Sequence, residues 1–392
     1  MKRCLIICLL LVVSIGFISA QSADTLSLVM PQYMNPFYDS FSRNYPGVTA
    51  AGKGYTGAAY LGDVSGINLN PASLLPDSLQ LSVEIDLKPP VNAVGYPNAA
   101  EHSSRVPFGM ITVNGRLSDK LSAALVYSLP KAIYLDDFSM WVNMGADLVQ
   151  RYPSYYLAQF TANASYHTEN WHLGLNLHNQ VHMLDDPVFM HSWNRIRSNR
   201  YALRVQPGII YDAPKFRFGL SVMPETSFNW DLTYADYKVI LPAWASAGIN
   251  IKNGENTYMF DAEFEQFSKI CSHFDDKLTF KAGFEKDLGK NVYRLGYIYS
   301  PEVFHGTFRL PYNTEATPQS SFWWGPVKDY LKIEPNTQHF LTGGYSYFYR
   351  YGSINLALMQ EVGGEANHTQ FSFSTSFYLN SIKNRKFLKF DE

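Results

Sequence analysis

From about Leu79 to Leu379 the chain repeats one rhythm roughly fourteen times: a strand-like segment alternating apolar and polar residues, then a connection. The connections are themselves alternately short and long. Short ones lie near Ser118-Asp119, Thr168–Asn170, Asp212–Lys215, Asn253–Asn256, Gly289-Lys290 and Arg350–Gly352. Long ones lie at about 88–106, 129–154, 182–199, 224–241, 266–275, 301–337 and 360–368. Short turns on one side and long loops on the other mark a transmembrane β-barrel.

The alternation holds residue by residue. Side chains on a strand point to opposite faces in turn. Trp171, Leu173, Leu175 and Leu177 therefore share one face, and His172, Asn176, His178 and Gln180 the other. Tyr201, Leu203, Val205 and Ile209 oppose Arg204, Gln206 and Gly208, and Phe371, Phe373 and Phe377 oppose Ser372, Ser374 and Ser376. A soluble sandwich alternates too. The strand length decides for the membrane, since about ten residues is what a tilted strand needs to cross a bilayer. Lipid offers no water to an unpaired sheet edge, so the sheet must close on itself. The expectation is an all-β fold: one antiparallel barrel of about 14 strands over 79–380. The stretch Phe228 to Leu241 is a possible further strand.

Composition supports this. Aromatic residues make up 15%, with 27 Tyr and 26 Phe, suited to membrane interfaces and a lipid-facing wall. A net charge of −2 gives no electrostatic case for nucleic acid. Met1-Lys2-Arg3 followed by the apolar run Leu5 to Ala20 reads as a secretory signal peptide, 1–20. It carries two of the three cysteines, leaving Cys271 without an intramolecular disulfide partner. An exported barrel of this kind belongs in the outer membrane of a Gram-negative bacterium, inserted there by the barrel-assembly machinery.

Residues 21–78 do not alternate. They contain Gly52, Gly54 and Gly57, then Asp63, then Asn70-Pro71-Ala72-Ser73-Leu74. A glycine/alanine-rich stretch, an acidic residue and Asn-Pro-Ala-x-Leu ahead of the first strand resemble the long-chain fatty acid transporter family of outer-membrane proteins (FadL-like). Tyr293-Arg294-Leu295-Gly296-Tyr297 and the pair Ala245 to Ile251 and Tyr258 to Ser268 also resemble strands of that family. The resemblance implies an N-terminal hatch (21–78) inside the lumen, joined to the barrel at Asn70, Pro71 and Ala72. It also implies passive uptake of hydrophobic compounds such as long-chain fatty acids, caught by outer loops and released sideways through a gap in the wall. The chain departs from the family in ending on a basic tail, 381–392, and in showing no clear hatch helix across 24–50.

Phe322-Trp323-Trp324, beside Phe304 and Phe308, suit either a landing site for an apolar ligand or interfacial anchoring. Phe138 and Trp141, within the partly helical spacing of 129–154, suit a groove wall or an amphipathic helix on the rim. His172, His178 and His182 share a strand face, but roughly 20 Å and 13 Å separate them at about 3.3 Å per residue, too far to share an ion. Gly-x-Ser-x-Gly, His-Glu-x-x-His and phosphate-loop motifs are absent from the sequence. Gly52, Gly54 and Gly57 fit the dinucleotide spacing without its βαβ context, and are expected to give the hatch backbone freedom. No enzyme activity, cofactor or metal is expected. A second function class stays open: a barrel of this fold docking a protein secretion machine, with Lys383-Asn384-Arg385-Lys386 facing a periplasmic partner.

Overall fold

A computed structural model describes residues 47–76, 78–87, 109–134, 154–186, 196–232, 235–270, 274–301, 303, 337–363 and 369–379, plus short strands at 91–92, 100–101, 140–144, 147–151, 307–309 and 330–332. Fourteen strands close into an antiparallel barrel. In chain order they are β1 (Gln80–Leu87), β2 (Met110–Arg116), β3 (Leu121–Tyr134), β4 (Ser154–His167), β5 (Trp171–Asp186), β6 (Ile196–Asp212) and β7 (Phe216–Met223). The round continues with β8 (Trp244–Asn253), β9 (Asn256–Glu265), β10 (Lys277–Asp287), β11 (Asn291–Ser300), β12 (Gln338–Tyr349), β13 (Gly352–Glu361) and β14 (Thr369–Tyr378). β14 pairs with β1, Gln80 opposite Tyr378 through Leu87 opposite Phe371, which removes both edges.

The faces follow from the alternation. Trp171, Leu173, Leu175 and Leu177 are each more than 40% exposed on the outside, while His172, Asn176, His178 and Gln180 are buried on the inside. Arg204, Lys281, Arg294, Glu84, Asp261 and Glu263 also face inward and are buried, as the sequence implies. Arg217 and Asp86 are only half-buried on that side. Aromatic side chains gather at the short-turn end: Trp171 lies 4.8 Å from Tyr211, Tyr258 5.4 Å from Phe284 and Tyr293 5.3 Å from Tyr345. Such a girdle fits the headgroup level. Ten residues at about 3.3 Å each, tilted by about 40°, span roughly 25 Å, the height of an apolar band. Among the described residues no helix is long and apolar enough to cross a membrane; the strands do it.

The short connections run over 117–120, 168–170, 213–215, 254–255, 288–290 and 350–351, where the sequence places them. The long side carries short extra hairpins instead of further barrel strands. Thr226–Leu232 pairs with Ala235–Leu241, so Phe228 to Leu241 stands outside the barrel count. Met140–Met144 pairs with Asp147–Arg151, so of the two alternatives weighed for this loop the amphipathic rim helix does not hold over these residues. Cross-strand pairing of Trp141 with Gln150 and Val142 with Val149 satisfies the backbone, and Trp and Val favour a strand.

Among the described residues β1, β2 and β7 are the shortest barrel strands, at 8, 7 and 8 residues. Between β3 and β4 the register shifts, with Ser128 opposite Gln159 but Lys131 opposite Leu157. Leu129 and Pro130 form a bulge there, and Pro130 has no N–H to offer the ladder.

Candidate functional site: a hatch fastened inside the lumen

Residues 47–76 occupy the lumen and follow its inner wall strand by strand. A short helix, α1 (Val48–Gly52), packs Val48, Ala50 and Ala51 against Phe340 of β12 and Ala357 and Met359 of β13. The sequence reading sees no helix here, because five residues carry too little periodicity to register. Two 3-10 turns follow, Val64–Asn68 and Pro71–Ser73. The described part of the hatch thus lies where the resemblance puts it; residues 21–46 lie outside the described residues.

What lets a backbone lie flat on the wall is a row of inward glycines, most lying three to five residues from the short-turn ends of their strands. A Cβ at Gly174 of β5 would strike the Pro71 carbonyl and the Ala72 nitrogen, and one at Gly208 of β6 the Asn70 side chain. At Gly219 of β7 it would strike the Ala58 carbonyl, and at Gly248 of β8 it would come within 3.0 Å of the Ala58 Cβ. At Gly283 of β10 it would meet the Thr56 hydroxyl, and at Gly296 of β11 the Gly54 nitrogen. At Gly344 of β12 it would come within 2.8 Å of the Gly52 Cα. The wall positions rise in chain number from 174 to 344 as the hatch positions fall from 72 to 52. The hatch therefore runs back around the wall against the barrel's own order.

The hatch glycines answer those of the wall. A Cβ on Gly52 would approach Gly344, one on Gly57 would strike Leu69, and one on Gly54 would come within 2.9 Å of Tyr297 N. Gly54 alone of the three needs positive φ, at 69°. The role of these residues is close approach more than the backbone freedom expected from sequence.

Asn70 is the fastener. It is fully buried and extended (φ −148°), as a residue before proline must be. Its Oδ1 accepts from Ala72 N at 3.0 Å, capping the 3-10 turn. Its Nδ2 donates to Ala58 O at 2.6 Å and reaches the strand carbonyls of Ile209 at 3.2 Å and Leu220 at 3.4 Å. Pro71 O in turn accepts from Ser165 Oγ at 2.7 Å and Asn163 Nδ2 at 3.1 Å on β4. Asn-Pro-Ala therefore ties hatch to hatch and hatch to wall at once. Ala72 packs with Leu61 and Ile210.

Charge holds the rest. Lys53 is fully buried with its Nζ 3.1 Å from Asp63 Oδ2 and 3.1 Å from the centre of the Tyr60 ring. Tyr60 donates to Glu285 Oε1 at 2.6 Å, and Arg294 Nε holds Glu285 Oε2 at 2.7 Å. Two wall carboxylates grip hatch amides directly. Asp261 Oδ2 accepts from Gly57 N at 2.7 Å and Ala58 N at 2.8 Å; Glu84 accepts from Gly47 N at 2.6 Å and Val48 N at 2.9 Å. Burial alone would raise the Asp63 carboxyl, but the Lys53 charge and the Thr49 hydroxyl outweigh it and hold it below the usual carboxylate range. Burial pulls Lys53 down, with Asp63 acting against it, and pushes the Tyr60 phenol well up.

The lumen histidines stay separate. His178 bonds Thr161 and Gln206, both at 2.8 Å, and the ring of His182 lies 4.4 Å from Phe228 of the outer hairpin. His172 meets His167 across the turn, Nδ1 to Nδ1 at 2.9 Å, a pair the strand spacing did not suggest. Among the described residues no group of three or more His, Cys, Asp or Glu could hold a metal. Of the proposed capture residues, Phe138, Phe322, Trp323 and Trp324 lie outside the described residues, and so does Cys271. Trp141 sits in an outer hairpin strand.

No family model and no curated protein matches this chain. Solved structures do. A FadL homologue from Pseudomonas aeruginosa aligns at 13% identity, covering 85% of this chain and 98% of that one, with a TM-score of 0.58. The toluene transporter TbuX of Ralstonia pickettii aligns at 14% identity over 86% and 98%, TM-score 0.58. The monoaromatic hydrocarbon channel CymD aligns at 14% over 85% and 96%, TM-score 0.55. The FadL-like resemblance read from the N-terminal motif thus holds at the level of fold.

Proposed function

We propose that this chain is an outer-membrane channel for the passive uptake of hydrophobic compounds. The observation that carries this reading is the hatch: it follows the inner wall from β4 to β14, held by a glycine seam, amide bonds and buried ion pairs. A lumen so filled is ill suited to a wide aqueous pore. The solved structures of this fold include a FadL homologue, a toluene transporter and a monoaromatic hydrocarbon channel. Aromatic outer loops, with Phe138, Trp141, Phe322, Trp323 and Trp324, capture the ligand, which is fatty-acid-like or another hydrophobic molecule. Sideways release occurs at the Leu129–Pro130 bulge of β3, where the ladder is interrupted.

Native mass spectrometry of protein extracted gently from its own membrane tests the reading. A discrete small apolar ligand, retained in two unrelated detergents and displaced by competing lipid, is the expected result. A protein-sized partner with no small ligand would instead point to the secretion scaffold. For capture, replacing Trp323 and Trp324 by Ala should lower uptake of a dilute labelled hydrocarbon about tenfold; unchanged uptake removes these residues from the site.

A further inference from the structure

His167, the last residue of β4, and His172, the second of β5, stand opposite one another across the 168–170 turn. Both are buried on the inner face at the short-turn end, 6% and 5% exposed. Their Nδ1 atoms lie 2.9 Å apart and their ring centres 5.2 Å apart. The second distance is hardly more than the first plus the two ring radii, so the nitrogens face each other head on. One proton must sit between them, because two bare lone pairs would repel. Neither Nε2 has a hydrogen-bond partner. Buried polar atoms are nearly always paired, so two idle nitrogens on adjoining rings are an exception with a cause.

We propose that this pair is a two-coordinate site for a soft monovalent d10 cation, copper(I) or silver(I), held between the two Nδ1 atoms. Imidazole is a good ligand for copper. A tetrahedral ion such as Zn(II) needs lone pairs converging at about 109°, and four ligands in a structural site. Here two lone pairs oppose, and among the described residues no third His, Cys, Asp or Glu completes a set. Opposed lone pairs suit linear coordination. With about 2 Å to each nitrogen, the rings need to separate by only about 1 Å. Small χ rotations at the two strand ends supply that. Arg116 near His167 and Arg217 near His172 add positive charge, which opposes a dication more than a monocation.

The exchange balances in protons. The bridging proton leaves its Nδ1 and is carried on that ring's Nε2, so both rings become neutral Nε2–H tautomers and no proton is released. Ligating imidazoles donate their other N–H to a carbonyl or carboxylate. The Leu74 carbonyl of the hatch stands at the His167 ring. Asp212, two residues beyond the Ile210 that is opposite His172, supplies a carboxylate on that side. Ser165 and Asn163, which hold Pro71 O, lie two and four residues from His167 along β4. A bound ion therefore clips β4 to β5 directly below the hatch fastening.

The test titrates copper(I), kept reduced by ascorbate and buffered by bicinchoninate, into the full-length protein in detergent with its thiols alkylated. One equivalent should bind without proton release, and X-ray absorption at the copper edge should show two nitrogen neighbours and no sulfur. His167→Gln and His172→Gln should each weaken binding at least about tenfold. His339→Gln, on β12 away from the pair, should leave it unchanged. Silver(I) should displace the copper, and Zn(II) should not. Absence of a stoichiometric site, displacement by zinc, or a shell with sulfur or four ligands overturns the proposal. Binding that survives both substitutions marks an adventitious ion only and overturns it equally. The absorption spectrum of the parent chain decides the case where a variant fails to fold.

Discussion

Asn70 shows how much can hang on one small amide. Its side chain caps a turn, ties two limbs of the hatch and reaches two barrel strands. Asn70→Ala should deprive the Ala58 carbonyl and the Ala72 amide of this partner, weakening the hatch by about 1–3 kcal/mol. Hydrogen exchange would show it as faster exchange at Ala72 and Ser73 with the barrel strands unaltered. Lys53 and Asp63 make the second prediction. Lys53→Met strands a buried carboxylate and should cost the hatch about 3–5 kcal/mol, whereas Lys53→Met with Asp63→Leu should recover much of that. The pH dependence follows from Asp63, whose carboxyl is depressed in the folded hatch. A depressed acid stabilises above its unfolded value, about 3.9, and the contribution is lost as pH falls through the folded value. Through Asp63, protease sensitivity of the hatch should therefore rise as pH falls below about 4.

At the scale of elements, the barrel was legible and the hatch only in part. Strands such as Trp171 to His182 announce their two faces because lipid outside and a polar lumen inside impose opposite chemistry on neighbouring residues. The short turns could be located because nothing but a turn fits between two such strands. The glycines could not be interpreted from sequence: Gly219 or Gly296 in a strand looks like any interruption, and its cause is a backbone some 160 or 240 positions earlier, at Ala58 and Gly54. Asn70 was recognisable as part of a motif, while its partners Ile209 and Leu220 were not, since each lies over 130 residues away. The hairpins on the long loops were missed because loop strands pair locally and owe nothing to the lipid. Replacing wall glycines tests the seam. Gly219→Val or Gly296→Val should leave the barrel folded, by heat-modifiable mobility, yet displace the hatch and raise ion conductance in planar bilayers several-fold. A variant that conducts like the parent would show that the seam tolerates a side chain and does not hold the hatch.

The whole molecule combines a closed wall, which spares the membrane an unpaired edge, with an interior segment that the wall was shaped to receive. Its buried charges are mostly arranged in pairs, Lys53 with Asp63, Arg294 with Glu285 and Lys281 with Glu263, so that the filled lumen carries little uncompensated charge. Such a body should sort solutes by hydrophobicity and not by size. The most direct test is the permeability of outer-membrane vesicles in which this barrel is the sole channel, measured for a labelled monoaromatic hydrocarbon and for a sugar of similar mass. The account predicts hydrocarbon entry well above that of barrel-free vesicles and sugar entry no different from theirs. Rapid sugar entry without any gain for the hydrocarbon would contradict it and mark an open aqueous pore.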